Sequence, residues 1–159
     1  MNINIKEDLL SFYMKEAISL ADIASKNEEI PVGCIISHRD KIIAKSSNQT
    51  EIRNDPCGHA EILSIQSAAK ILDNWRLTEC VLTVTVEPCT MCVGAIIQSR
   101  IPIVVYGCNE PETGALGSRW DLSLDTNGKS LFRVIRGINE KECSLLMKEF
   151  FKRRRISTK

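Results

Sequence analysis

The stretch Val81-Leu82-Thr83-Val84-Thr85-Val86-Glu87-Pro88-Cys89-Thr90-Met91-Cys92 changes its pattern half-way, and that change decides the fold. Residues 81–86 are an apolar, β-branched run, the mark of a strand buried on both faces. Pro88 suits the first turn of a helix, where its missing N–H costs nothing, and the apolar run 91–97 carries that helix on toward Arg100. A second β-rich run, residues 103–106, follows. Strand, helix of about eleven residues and strand make a right-handed βαβ unit with parallel strands.

The same stretch carries chemistry. Cys89 and Cys92 stand three apart at a helix start, on one face, where unsatisfied N–H groups favour the metal-binding thiolate. His59-Ala60-Glu61 opens a second helical pattern, since Asn54-Asp55-Pro56 is a turn signal and Ile62, Leu63, Ile65, Ala69, Ile71 and Leu72 follow at helical spacing. Two helix starts can therefore meet at one ion. Three N/S ligands without a fourth describe a catalytic zinc site, which keeps a position for water, and Glu61 offers an acid/base beside it. Two blander readings stand against this. Cys57 could complete a closed Cys57, His59, Cys89, Cys92 structural site, though such a site has no use for Glu61. Alternatively the cysteines are ordinary buried thiols.

The 159 residues suit one domain, residues 1–159, that buries roughly 70% of its unfolded surface. A net charge of +1, with 26% charged residues, excludes a general nucleic-acid coat and leaves only a local basic patch. Seven cysteines, two of them at metal spacing, together with the lack of a secretory signal or long apolar span, point to a reducing cytoplasmic compartment and no membrane insertion.

Elsewhere, residues 6–26 place Leu9, Leu10, Tyr13, Met14, Ala17, Ile18, Ala21 and Ala24 on a helical stripe. Residues 31–36 and 41–44 form a hairpin around His38-Arg39-Asp40, which makes His38 a solvated turn residue. Residues 46–55 read as loop, with Asn48 placed where an amide could reach a ligand at the strand ends. Residues 107–118 are a long loop and 132–136 a last strand. Asn139 can cap a final helix whose apolar face holds Cys143, Leu145, Leu146, Met147, Phe150 and Phe151. That helix ends in Phe150-Phe151-Lys152-Arg153-Arg154-Arg155. The cations there read equally well as a dipole-stabilised solvated end or as a phosphate-binding patch.

His59-Ala60-Glu61 with Pro88-Cys89-x-x-Cys92 is the H-x-E plus P-C-x-x-C signature of the zinc nucleobase deaminases, the cytidine/deoxycytidylate deaminase superfamily. More closely, the chain resembles bacterial tRNA-specific adenosine deaminases. The likeness runs through Glu29-Ile30-Pro31-Val32-Gly33, Asn48, Asn54-Asp55-Pro56, Asn74-Trp75-Arg76-Leu77, 87–92, Gln98-Ser99-Arg100-Ile101, Val105-Tyr106-Gly107, Thr113-Gly114-Ala115, Gly117-Ser118 and 150–154.

The resemblance implies a three-layer α/β/α fold with a mixed five-stranded sheet between helices. It implies hydrolytic deamination of adenosine to inosine at the wobble position of a tRNA anticodon stem-loop, an arginine tRNA in bacteria, by a homodimer holding one zinc per subunit. His59, Cys89 and Cys92 then bind zinc and Glu61 handles protons. Asn48, Ile30, Val32, Ala60 and Pro88 contact the base, and Phe150, Lys152, Arg153 and Arg154 grip RNA.

The chain departs from the family at Cys57-Gly58, where relatives carry a pair such as Thr-Ala, and at Leu131-Phe132, where they often carry Asn-His. Glu110 and Glu112 stand where relatives often have Asp and a Lys near the RNA. A deaminase of free guanine, cytosine or a nucleoside would keep the zinc centre without the basic helix end. A non-catalytic zinc module would not depend on Glu61.

Overall fold

The computed structural model describes Ile5 and residues 7–157. α1 (Glu7–Lys26) follows the expected stripe, with Leu10, Tyr13, Met14, Ala17, Ala21 and Ala24 buried; Lys6 lies outside the described residues. β1 (Gly33–His38) and β2 (Lys41–Ser47) form the hairpin. Arg39 and Asp40 alone make its turn, with φ of 48° and 62°, the twist that suits a two-residue loop. His38 is therefore not a solvated turn residue. It pairs with Lys41 at the end of β1, its Nε2 lies 3.1 Å from Glu79 Oε2, and Arg39 Nε donates to the same oxygen at 2.8 Å.

The stretch expected as loop after β2 contains a short helix, α2 (Thr50–Arg53). Then come α3 (Ala60–Ile71), β3 (Cys80–Val86), α4 (Thr90–Gln98), β4 (Ile103–Cys108), β5 (Arg133–Ile135) and α5 (Glu140–Ser157). α4 is shorter than its sequence pattern at both ends. Cys89 itself is the N-cap, so Pro88 precedes the helix. At the other end Arg100 takes φ 61°, and the N–H groups of Arg100 and Ile101 donate back to Ile97 and Ile96, a left-handed closure that stops the helix there. Asn139 also departs from expectation. Its φ is 53°, its amide donates to Glu142, and its Oδ1 accepts from Ser11, so its side chain ties α5 to α1 instead of capping a backbone N–H.

The sheet runs β2-β1-β3-β4-β5, with β1 antiparallel to both neighbours and β3, β4 and β5 parallel. α1 and α5 cover one face, where Tyr13, Met14 and Cys143 pack on Ile35, Val81, Ile103 and Val105. α3 and α4 cover the other, where Ala60, Ala68, Val93 and Ile96 pack on Ile36, Leu82, Val84 and Val104. This is the three-layer α/β/α mixed sheet. The helices sit close because their contacts are small: a Cβ on Gly33 would stand 1.9 Å from the Ala17 carbonyl oxygen of α1. The antiparallel pairing brings the start of β1, the end of β2 and the end of β3 to one edge of the sheet, and the helix starts of α3 and α4 open there.

Candidate active site

His59 and Cys89 are the N-caps of α3 and α4, both with extended backbone (φ −70°, ψ 144° and φ −75°, ψ 173°). Cys92 lies one turn into α4. The three come together: His59 Nδ1 is 3.5 Å from Cys92 Sγ and 3.7 Å from Cys89 Sγ. Tetrahedral zinc with ordinary Zn–N and Zn–S bonds separates such ligand atoms by about 3.6 Å. Among the described residues these three form the one His/Cys/Asp/Glu group close enough to share an ion, and their donor set fits zinc. Cys57 is exposed and stands outside the group, its backbone N–H donating to Asp55. The closed four-ligand alternative is thereby overturned.

The electrostatics suit metal capture. A hydrogen bond from Cys92, then one from His59 working against burial, holds the Cys89 thiol down at about 4. Cys92 is pushed up by the same bond and by burial, and His59 is raised by its bond to Cys89. A depressed Cys89 thiol favours the thiolate that binds a cation, and the cation would displace the protons still held by its ligands. Glu61, on the second residue of α3, is 4% exposed and outside the ligand group. Burial raises its carboxyl above the usual range, which suits a group that takes and gives protons near neutral pH.

His59, Glu61 and Cys89 open into a cavity of about 430 Å³, within the range of sites for a single small-molecule-sized group. Ile30, Val32 and Asn48 line one side, Val86, Glu87, Glu110, Glu112 and Thr113 another, and Met147 and Phe151 of α5 a third. Asn48 is 6% exposed and fixed in orientation: its amide donates to Glu29 Oε2 at 3.0 Å, and Thr50 Oγ1 donates to its Oδ1 at 3.3 Å. Glu29 also accepts the Ile52 N–H at 2.8 Å, so it orders the whole turn after β2. Sequence reading gave Glu29 no role, although a carboxylate directly ahead of the apolar run 30–36 is the available signal.

Ala60 is fully buried and Pro88 buried with its carbonyl accepting from Ala115, and neither lies on the cavity lining. Phe150 requires correction. It is 1% exposed in the core, with no surface for RNA, whereas its neighbour Phe151 is 41% exposed on the cavity rim. The expected apolar face of α5 splits accordingly, with Cys143 inward and Leu145 outward at 55% exposure. Lys152, Arg153 and Arg154 are exposed; Arg153 also donates to Ser25 of α1, and Arg154 lies 5.6 Å from the Phe150 ring centroid.

A tRNA-specific adenosine deaminase from Haemophilus influenzae is 40% identical over 147 residues, 92% of this chain and 85% of the relative. The chain belongs to the tRNA-specific adenosine deaminase family. A family model described as MafB19-like deaminase matches residues 10–155. A solved structure from a study of A-to-I editing by tRNA:A34 deaminases at the wobble position of transfer RNA matches with a TM-score of 0.82 and 34% identity, covering 86% of this chain and 99% of that one. Guanine deaminase from Bacillus subtilis matches less completely, with a TM-score of 0.61 and 33% identity over 66% of each chain.

Proposed function

We propose that this chain deaminates adenosine to inosine hydrolytically at the wobble position of a tRNA anticodon, with one zinc ion per subunit held by His59, Cys89 and Cys92. The observation that carries the reading is Glu61: a buried carboxylate facing the same cavity as the ligands His59 and Cys89 but not itself in the ligand group. Bound zinc supplies Lewis acidity that makes hydroxide available near neutral pH. Glu61 takes one proton of the attacking water and passes it to adenine N1, then takes the second from the new C6 hydroxyl and gives it to the leaving amine. A C6–O bond forms, the C6–N bond breaks, and ammonia leaves. Asn48, fixed by Glu29, holds the base, and Ile30 and Val32 wall it. The target base must leave its stack to enter the cavity, and an anticodon loop already presents splayed bases.

Lys152, Arg153 and Arg154 serve the RNA backbone beside the rim residue Phe151. An arginine tRNA is the substrate the family resemblance favours. A homodimer fits the exposed apolar side chains Ile52, Ile71 and Trp75, at 64%, 58% and 52%. A cytoplasmic site of action follows from the tRNA substrate; no described helix is long and apolar enough to cross a membrane.

The test is inosine formation on an anticodon stem-loop by the native chain and by Glu61→Ala, with zinc measured in both. Conversion by the native chain alone, with zinc kept in the variant, is the expected result. A zinc-loaded native chain that leaves the stem-loop unchanged but deaminates free guanine would replace this reading with that of a free-base deaminase.

A further inference from the structure

Glu87 sits between β3 and the Cys89 turn, is 3% exposed, and belongs to no metal group. Its carboxylate is filled by one segment of chain. Oε1 accepts the N–H of Leu116 at 2.9 Å and of Ser118 at 3.0 Å, while Oε2 accepts the N–H of Glu110 at 3.1 Å and the Ser118 hydroxyl. Four donors from residues 110–118 thus converge on one side chain, and that segment brings Glu110, Glu112 and Thr113 to the cavity wall. A buried charge is tolerated when hydrogen bonds replace its water, and here every donor comes from the loop. An amide in its place would set an NH2 group against a backbone N–H.

A second feature meets at the same point. A Cβ on Gly114 would stand 2.5 Å from Glu87 Cδ and Oε2 and 2.5 Å from the Glu110 carbonyl, so only glycine lets carboxylate and loop close together. The closed loop is then joined to the metal-ligand turn: Ala115 N–H donates to the Pro88 carbonyl at 2.9 Å, and Gly114 bridges to Cys89.

We propose that Glu87 is a positioning residue that presets the 110–118 segment as the outer wall of the pocket for the nucleotides flanking the target base. It acts through the loop, since its oxygens are already occupied, and a preset wall lowers the ordering cost of binding RNA. The second half of this proposal rests on the tRNA reading; the first half does not.

The experiment uses the zinc-loaded full chain with Glu87→Gln, Gly114→Ala, their double variant and the milder Ser118→Ala. It measures amide hydrogen exchange of residues 110–118, the Kd for an anticodon stem-loop, and KM and kcat on it. For Glu87→Gln and Gly114→Ala the expected result is native zinc content, exchange in the segment faster by about tenfold or more, Kd and KM raised about tenfold, and kcat within about threefold. The double variant should be no worse than either single by more than about twofold, because both break one contact. Ser118→Ala should move exchange and Kd about threefold in the same direction, and it decides the matter if the stronger variants do not fold. Native exchange rates in the segment, or a fall in kcat with KM unchanged, would overturn the proposal. If the native chain neither binds nor edits the stem-loop, the tRNA reading falls and hydrogen exchange alone judges the clamp.

Discussion

At and just beneath the floor of the pocket, four side chains come from two helix starts: His59 and Glu61 from α3, Cys89 and the buried Cys92 from α4. The ligand atoms of His59, Cys89 and Cys92 lie within 4.8 Å of one another, and each of the four side chains is held by the turn that begins its own helix. At the rim the residues come from three remote segments: Glu51 in α2, Glu110 and Glu112 in the loop after β4, and Phe151 near the end of α5, followed by Lys152 to Arg154. Most are exposed and their charges are mixed. Metal ligation fails with a shift of a few tenths of an ångström, so it is built from short local geometry. Attraction for a polyanion acts over nearly a Debye length, roughly 10 Å in ordinary salt, so it tolerates scattered contributors and depends on their sum.

The contrast predicts a steep loss at the floor. Cys89→Ser removes the thiol whose pKa the site lowers most, and zinc content should fall with activity. The drop in activity should exceed about 10³-fold, the scale on which losing a Lewis acid acts. Elemental analysis beside the editing assay checks this, and full activity with a full zinc complement would show that the ligand set has been misassigned. Asn48→Ala should come next, lowering kcat/KM by roughly 10- to 100-fold for loss of one buried hydrogen bond to the base. If Asn48 meets the base and not the phosphates, as proposed, free adenosine and the stem-loop should suffer equally. A loss confined to the stem-loop would move Asn48 from floor to rim.

What the sequence made legible follows the same division. The hairpin, the strand–helix–strand pattern, and each half of the ligand set, His59 at one helix start and Cys89 with Cys92 at the other, could be read because each depends on residues within a turn or two of one another. That the two halves meet across thirty residues was legible only from the joint motif. Phe150 and Phe151 could not be told apart: neighbours on a helix point about 100° apart, and only the packing of α5 on the sheet decides which is core. Glu29 and Asn48 are nineteen residues apart and meet only because the β1–β2 hairpin returns the chain to its start. Glu87 stood in plain view directly ahead of the P-C-x-x-C motif, yet its partners at 110, 116 and 118 belong to a loop whose path no periodicity reveals. His38 was missed for the opposite reason. A turn one residue shorter than expected left it in register with Lys41 and within reach of Glu79.

The smallest predicted effect is at the rim and has the opposite sign. Glu112 is exposed on the cavity wall, and its N–H donates to Glu110 Oε1 at 3.0 Å, a backbone contact that a new side chain does not disturb. Glu112→Lys therefore changes the local charge by two units without changing the loop. An exposed charge acts weakly, so Kd for the stem-loop at low salt should fall only about threefold. The more telling measurement is its salt dependence. One added phosphate contact to single-stranded RNA should steepen the slope of log affinity against log salt by about 0.7, while free adenosine kinetics stay as they were. An unchanged slope would place the RNA backbone away from this wall and leave the end of α5 to carry the grip. A changed rate on free adenosine would mean that Glu112 reaches the floor, and that floor and rim are not separable in this pocket.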